Sequence, residues 1–138
     1  MKFFVDTSIF VDCLRKNIVP SSKYFLESFG DEHTGFTSSI TVAELSVGAH
    51  LSQRSDALEM TLDLLSIVEV ISVDKDVAIK GGEIYSHLAK NGEAIELNDC
   101  LIAATSLYVG INEIVTRNIK HFERIKAVEA LTPEDIGF

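Results

Sequence analysis

The sequence has no tryptophan and only two cysteines and two prolines in 138 residues, and each scarcity narrows what the protein can be. Cys13 and Cys100 lie far apart with no C-x-x-C spacing. A thiolate zinc site or a disulfide framework needs more sulfur than this, so both are read as small buried apolar residues. No apolar run approaches the roughly 20 residues of a membrane-spanning helix. In the opening MKFFVDTSIF, Asp6 cuts the apolar stretch short of a secretory core, so no membrane association is expected and the expected compartment is the cytoplasm. Cations are scarce too: 12 Lys and Arg against 21 Asp and Glu leave a net charge of −9. Such a chain cannot hold nucleic acid by bulk charge. Its acids are either solvated surface or gathered where a cation sits, and only their positions can decide.

What is present is an ordinary globular balance, 46% hydrophobic and 24% charged, with no repeat, low-complexity tract or linker. One domain over residues 1–138 is expected. Short β-branched and aromatic runs alternate with stretches of helical period. Strands are expected at 2–5, 35–38, 67–73, 113–116 and 127–130. Helices are expected at 8–15, 20–29, 41–51, 55–65, 76–90, 99–109 and 120–124, with Pro20 in the first turn of the second and Gly110 closing the sixth. Gly81-Gly82 inside a helix is unfavourable and suggests close packing. Strands alternating with helices give an α/β fold: a three-layer α/β/α arrangement around a mostly parallel sheet.

In such sheets ligands gather at the carboxyl ends of the strands. Asp6 follows the first strand, Glu44 lies in the first turn of the helix after the second, Asp99 opens the apolar helix LNDCLIAATSLYVG, and Asn118 follows EIVT. Each has a purely local reading. Asp6, Thr7 or Ser8 could cap the first helix; Thr41-x-x-Glu44 has the form of a capping box; Asn98 could cap the helix that holds Asp99; and Asn118 could cap the helix after it. Capping does not require acids from distant segments to meet, whereas carboxylates that meet repel one another and call for a hard cation such as Mg²⁺.

The segments FVDTSIFVDCLRK, SSITVAELSVGA and LNDCLIAATSLYVGINEIVTRNIKHFERI, in that order, resemble the PIN-domain family, and within it the VapC-type toxins of toxin–antitoxin pairs. The resemblance runs from Phe3 to about Leu131, with residues 53–96 matching only in pattern. It implies an endoribonuclease with a Mg²⁺ or Mn²⁺ site, commonly a homodimer, blocked by a small antitoxin. Asp6, Glu44 and Asp99 match the family's first three acids. Its fourth position, often Asp, is here Asn118, which brings no charge and weakens the case for a second tightly held ion. Ser8 and Thr116 match hydroxyl positions beside the site. Arg15, Arg117 and Arg124 are candidates for RNA phosphate contacts; Lys16, Lys120 and Lys126 read more simply as solvated surface. His121 has no partner visible in the sequence, which argues against a general base there.

Other classes fit less well. A phospho-acceptor receiver domain needs an acidic pair after the first strand, and Asp6 is followed by Thr7 and Ser8. A haloacid-dehalogenase-type phosphatase needs D-x-D there, and position 8 is Ser. A non-catalytic PIN-like binding module is the remaining alternative, against which the intact acids weigh.

Overall fold

A computed structural model describes every residue from Met1 to Phe138. The first strand, β1 (Lys2–Val5), shows why the sheet lies in the middle. Phe3, Phe4 and Val5 are all buried, as expected of a strand covered on both faces. Side chains alternate along it: Phe4 joins one hydrophobic cluster while Phe3 and Val5 join another. Two separate cores on opposite faces of one sheet make three layers.

The remaining elements in chain order are α1 (Thr7–Leu14), α2 (Pro20–Glu27), β2 (Thr34–Ser38), α3 (Ser39–Leu51), α4 (Ala57–Leu65), β3 (Glu69–Ile71), α5 (Lys75–Lys90), α6 (Leu97–Tyr108), β4 (Glu113–Val115), α7 (Ile119–Phe122) and β5 (Glu129–Leu131). A 3₁₀ turn at Glu134–Ile136 follows, which sequence pattern did not suggest. The first core draws on α5, α6 and α7 through Val77, Ile84, Ile102 and Phe122. The second draws on α1 to α4 through Ile9, Phe10, Phe25, Leu45 and Leu65. No helix is long and apolar enough to cross a membrane.

The sheet is wholly parallel, in the order β3-β2-β1-β4-β5. Chain order reverses between β1 and β4, which pair through Phe4 with Ile114 and Val5 with Val115. This switch point opens a crevice beyond the carboxyl ends of both strands, where ligands bind in open α/β sheets.

The expected elements are all present, with shifted bounds. The strand expected at 67–73 pairs only over Glu69–Ile71, and α5 starts a residue early because the Asp74 side chain caps it by accepting from Val77 N–H at 3.0 Å. More consequential, α3 begins at Ser39. Ser38 is its cap, with Oγ accepting from Ile40 N–H at 3.1 Å. Thr41 is therefore interior and buried, and the capping-box reading of Thr41 and Glu44 is incorrect. Asn98 likewise is not a cap, since α6 begins at Leu97 with Glu96 in the cap position. The glycine pair also resolves. A Cβ on Gly81 would stand 2.5 Å from Leu101 Cδ2 and 3.3 Å from Leu101 Cα, so its absence lets α5 lie against α6, whereas Gly82 faces open space.

Candidate functional site

Asp6 leaves β1 at the switch point and is 1% exposed. Its Oδ2 accepts from Ser8 Oγ at 2.7 Å, from Thr116 Oγ1 at 2.7 Å and, longer, from Ser8 N–H at 3.4 Å, the last making it the cap of α1. The capping role is real, and the acid does more than cap. Arg117 N–H donates to Ser8 Oγ and Asn118 N–H to Thr116 Oγ1, each at 2.9 Å, so the loop after β4 folds around the Asp6 carboxylate through two hydroxyls. Ser8 and Thr116 thus both hold the same oxygen of Asp6. Burial raises the Asp6 pKa above the usual carboxylate range, opposed by the Ser8 and Thr116 hydrogen bonds.

Glu44 projects from α3 and is half-buried. Its Oε1 lies 2.8 Å from Thr7 Oγ1, which also stands 2.9 Å from Thr41 Oγ1. With the capping box gone, this hydroxyl is what steers Glu44 toward α1. Asp99, in the first turn of α6, has a side chain 13% exposed. Its pKa is raised by burial first and then by the negative charge of Asp6; a hydrogen bond from His121 opposes this, and Glu44 adds a further upward push. Asp99 therefore feels both other acids, though they come from distant segments of the chain.

They line one cleft of about 420 Å³, with Asn118, Asp12, Glu96 and His121. Asn118 holds the cap position of α7 yet makes no side-chain capping bond, so its amide is not consumed by the helix. The carboxylates and the Asn118 amide offer oxygen, suited to a hard cation. No group of three His, Cys, Asp or Glu side chains stands at direct-ligand spacing. The residues fit an ion held by one or two carboxylates with water spanning the rest, the usual coordination of Mg²⁺.

Three participants escaped sequence reasoning. Glu96 lines the cleft from the cap position of α6 without a capping bond; its only signal was an acid three residues before Asp99. His121 does have a partner: Nδ1 lies 3.1 Å from Asp99 Oδ2. Asp12, 6% exposed, accepts from Ser22 Oγ at 2.7 Å and from Arg117 Nε at 2.8 Å. The last contact corrects the expectation for Arg117. Its Nη1 donates to Glu134 at 2.6 Å and its Nη2 to Ser21 and Ser22 at 2.9 and 2.8 Å, so the guanidinium ties α1, α2 and the closing 3₁₀ turn together and is not free for phosphate. Arg15 is exposed, 3.7 Å from Asp12 Oδ1, and lines a neighbouring apolar groove with Glu44. Arg124 lies outside the cleft, its Nη1 donating to the carbonyls of Glu93 and Ala94.

Residues 3–128 match the family description of the PIN domain. The chain belongs to the PIN-domain family. Among relatives of this PIN domain, ribonuclease VapC2 of Rickettsia felis is 35% identical over 127 residues, covering 91% of this chain and 92% of the relative. Ribonuclease VapC1 of Methanocaldococcus jannaschii is 30% identical over 125 residues, covering 91% of this chain and 82% of the relative. In the crystal structure of VapBC2 from Rickettsia felis bound to a DNA fragment from its promoter, a chain superposes on this PIN domain with a TM-score of 0.81 at 31% identity, over 96% of this chain and 98% of that one. The resemblance of the motifs and the three-layer fold expected from the sequence both hold.

Proposed function

We propose that the protein is a divalent-cation-dependent endoribonuclease, the toxin of a toxin–antitoxin pair, in which Asp6, Glu44 and Asp99 gather a Mg²⁺ or Mn²⁺ ion. The observation that carries this reading is the convergence of three carboxylates on one switch-point cleft, Asp6 just after β1, Glu44 of α3 and Asp99 of α6, where the charges of Asp6 and Glu44 act on Asp99 and such crowding favours a cation. The relatives named as ribonucleases support the reaction class, and the VapBC complex supports a small protein partner.

A bound divalent cation supplies a Lewis acid that neutralises phosphate charge and lowers the pKa of water. This chain's own residues prepare that chemistry. Ser8 and Thr116 spend their protons on Asp6 Oδ2, which leaves Oδ1 for the cleft. Thr7 holds Glu44 toward the cleft, and His121 holds Asp99. Asn118 offers a neutral oxygen from the fourth side. The apolar groove of about 230 Å³ between α1, α3 and α4 adjoins the cleft at Val11 and Glu44, and suits a partner segment that lays down apolar side chains. An Arg from such a partner would stand where the cation does, paired with Asp6 or Asp99. A homodimer is part of the proposal and is checked by light scattering.

The decisive experiment is RNA cleavage by the purified protein with Mg²⁺ or Mn²⁺, with EDTA, and with Asp6→Asn or Asp99→Asn checked for folding by circular dichroism. Cleavage that needs the metal and both acids supports the reading. Full activity in EDTA, or in either variant, refutes the metal mechanism, and inactivity of the wild type with every metal leaves the chain a binding module.

A further inference from the structure

The molecule's cations are not evenly spread. Lys80 and Lys90 of α5, with Arg124 and Lys126 beyond α7, line one open basin of about 850 Å³ that holds only two carboxylates, Glu83 and Glu93. Glu83 is already answered by Lys80 at 3.4 Å. Lys90, Arg124 and Lys126 enter none of the protein's ion pairs. In a chain of net charge −9 this is a local reversal of sign, assembled from two segments well separated in sequence.

A shallow saddle stands between this basin and the acidic cleft. Glu93 lines the basin, and its neighbour Ala94 lines the saddle; Arg124 Nη1 donates to both their carbonyls, at 3.4 and 3.2 Å, and holds this rim in place. The saddle carries the Tyr85 ring, 39% exposed, and is closed at its far side by Glu96 and His121. Those two residues line the acidic cleft as well. Along the surface the order is therefore clustered acids, His121, an exposed aromatic ring, and free cations.

We infer that this strip is the path of single-stranded RNA, with the scissile phosphate at the acidic cleft, a base against Tyr85 and the flanking phosphates on Lys90 and Lys126. The inference rests on the nuclease reading above and assigns where the substrate's flank lies. A cleft of carboxylates repels a polyanion except at the one phosphate a cation reaches, so the attraction that seats the strand must come from cations placed elsewhere. An exposed aromatic ring accepts any unstacked base on its face, whereas duplex bases are stacked and turned inward. The strip offers both features in line with the acids, and Arg117, the one arginine in the cleft, is already committed to Asp12 and Glu134.

The test measures binding and cleavage separately. Binding of a labelled single-stranded RNA decanucleotide in EDTA is followed by fluorescence anisotropy across a salt series for the wild type, Lys90→Gln/Lys126→Gln, Tyr85→Leu and, as a charge control on α2, Lys23→Gln. Loss of two phosphate contacts on a single strand should make the salt slope shallower by about 1.4 and weaken binding by about tenfold near 0.1 M salt. Tyr85→Leu should weaken binding with the slope unchanged, and Lys23→Gln should match the wild type. With Mn²⁺, the double lysine variant should lose the preference of the wild type for a decanucleotide over a trinucleotide. A double variant with wild-type affinity and slope overturns the path, as does a wild type that does not bind the strand. Binding that weakens as described, in a protein that cleaves nothing with any metal, upholds the path and refutes the nuclease reading instead.

Discussion

Replacing Arg117 with methionine tests whether one guanidinium holds the loop that wraps Asp6. Methionine keeps much of the stem and removes every donor. Asp12 is 6% exposed, and its Oδ2 would keep only the Ser22 hydroxyl at 2.7 Å, with Arg15 a loose 3.7 Å from Oδ1. Breaking a buried pair by removing one partner costs about 3–5 kcal/mol. Arg117 is itself 26% exposed and two partial partners of Asp12 remain, which places the cost at the low end, about 3 kcal/mol. The contact with Glu134 adds little, because that carboxylate is half exposed and such pairs contribute about 0–1 kcal/mol. For a chain of this length the total should lower Tm by roughly 10 °C. Asp12→Asn should cost less, about 1–2 kcal/mol, since the amide oxygen can still accept from Ser22 and Arg117 keeps Glu134. The double variant should then be less destabilised than the sum, by about 2 kcal/mol of coupling. Urea denaturation of the four proteins in EDTA, followed by circular dichroism, gives the cycle. Arg117→Met within about 1 kcal/mol of the wild type, or strict additivity, would show that solvent already screens the pair and that the loop is held by its two hydroxyl contacts alone.

Four further outcomes follow from the same structure. Glu44→Gln should stabilise the metal-free protein by relieving repulsion on Asp99, shrink the stabilisation by added Mn²⁺ and cut cleavage by orders of magnitude; thermal melts with EDTA and with Mn²⁺ beside an RNase assay measure all three, and wild-type behaviour throughout would remove Glu44 from the site. Asn118→Asp should tighten Mn²⁺ binding in titration calorimetry, and an unchanged affinity would place Asn118 away from the ion. Gly82→Ala, on open space, should stabilise by about 0.5–1 kcal/mol through helix propensity, whereas Gly81→Ala should destabilise by about 1–3 kcal/mol because Leu101 must move; equal effects in urea melts would contradict the packing of α5 on α6. Asp6 and Asp99 have raised pKa values, so between the ordinary carboxyl range and those raised values the folded protein binds more protons than the unfolded chain, and metal-free stability should fall as pH rises through that window. Asp99→Asn should flatten that fall in EDTA melts, and an unaltered slope would refute the assignment. Glu134, drawn down to about 2 chiefly by the Arg117 hydrogen bond, acts in the opposite sense and loses its contribution only in stronger acid.

The elements themselves were legible in the chain because their signals are local. Strand β1 is a short apolar run, α6 is a long apolar helix stopped by Gly110 with φ of +75°, and α2 carries Pro20 in its first turn. Asp6 and Glu44 were legible for a related reason: in a parallel sheet the segments that follow each strand end share one edge, whereas Asp99 opens α6 after another helix and was placed by its motif. What lay beyond the sequence were the partners of side chains whose neighbours are remote. Whether Glu44 serves a cap or the cleft turned on a helix start two residues away, decided by the Ser38 hydroxyl. His121 meets Asp99 across 22 positions, and Arg117 meets Asp12 across 105. Arg117 looked like a phosphate ligand and is an internal tie; Lys126 looked like ordinary surface and shares a basin with Lys90. Periodicity determines which face of an element is buried, but the packing of three layers determines which buried or facing groups meet. Charge acts through distance in space, so its pairing was settled only once the helices had taken their places on the sheet.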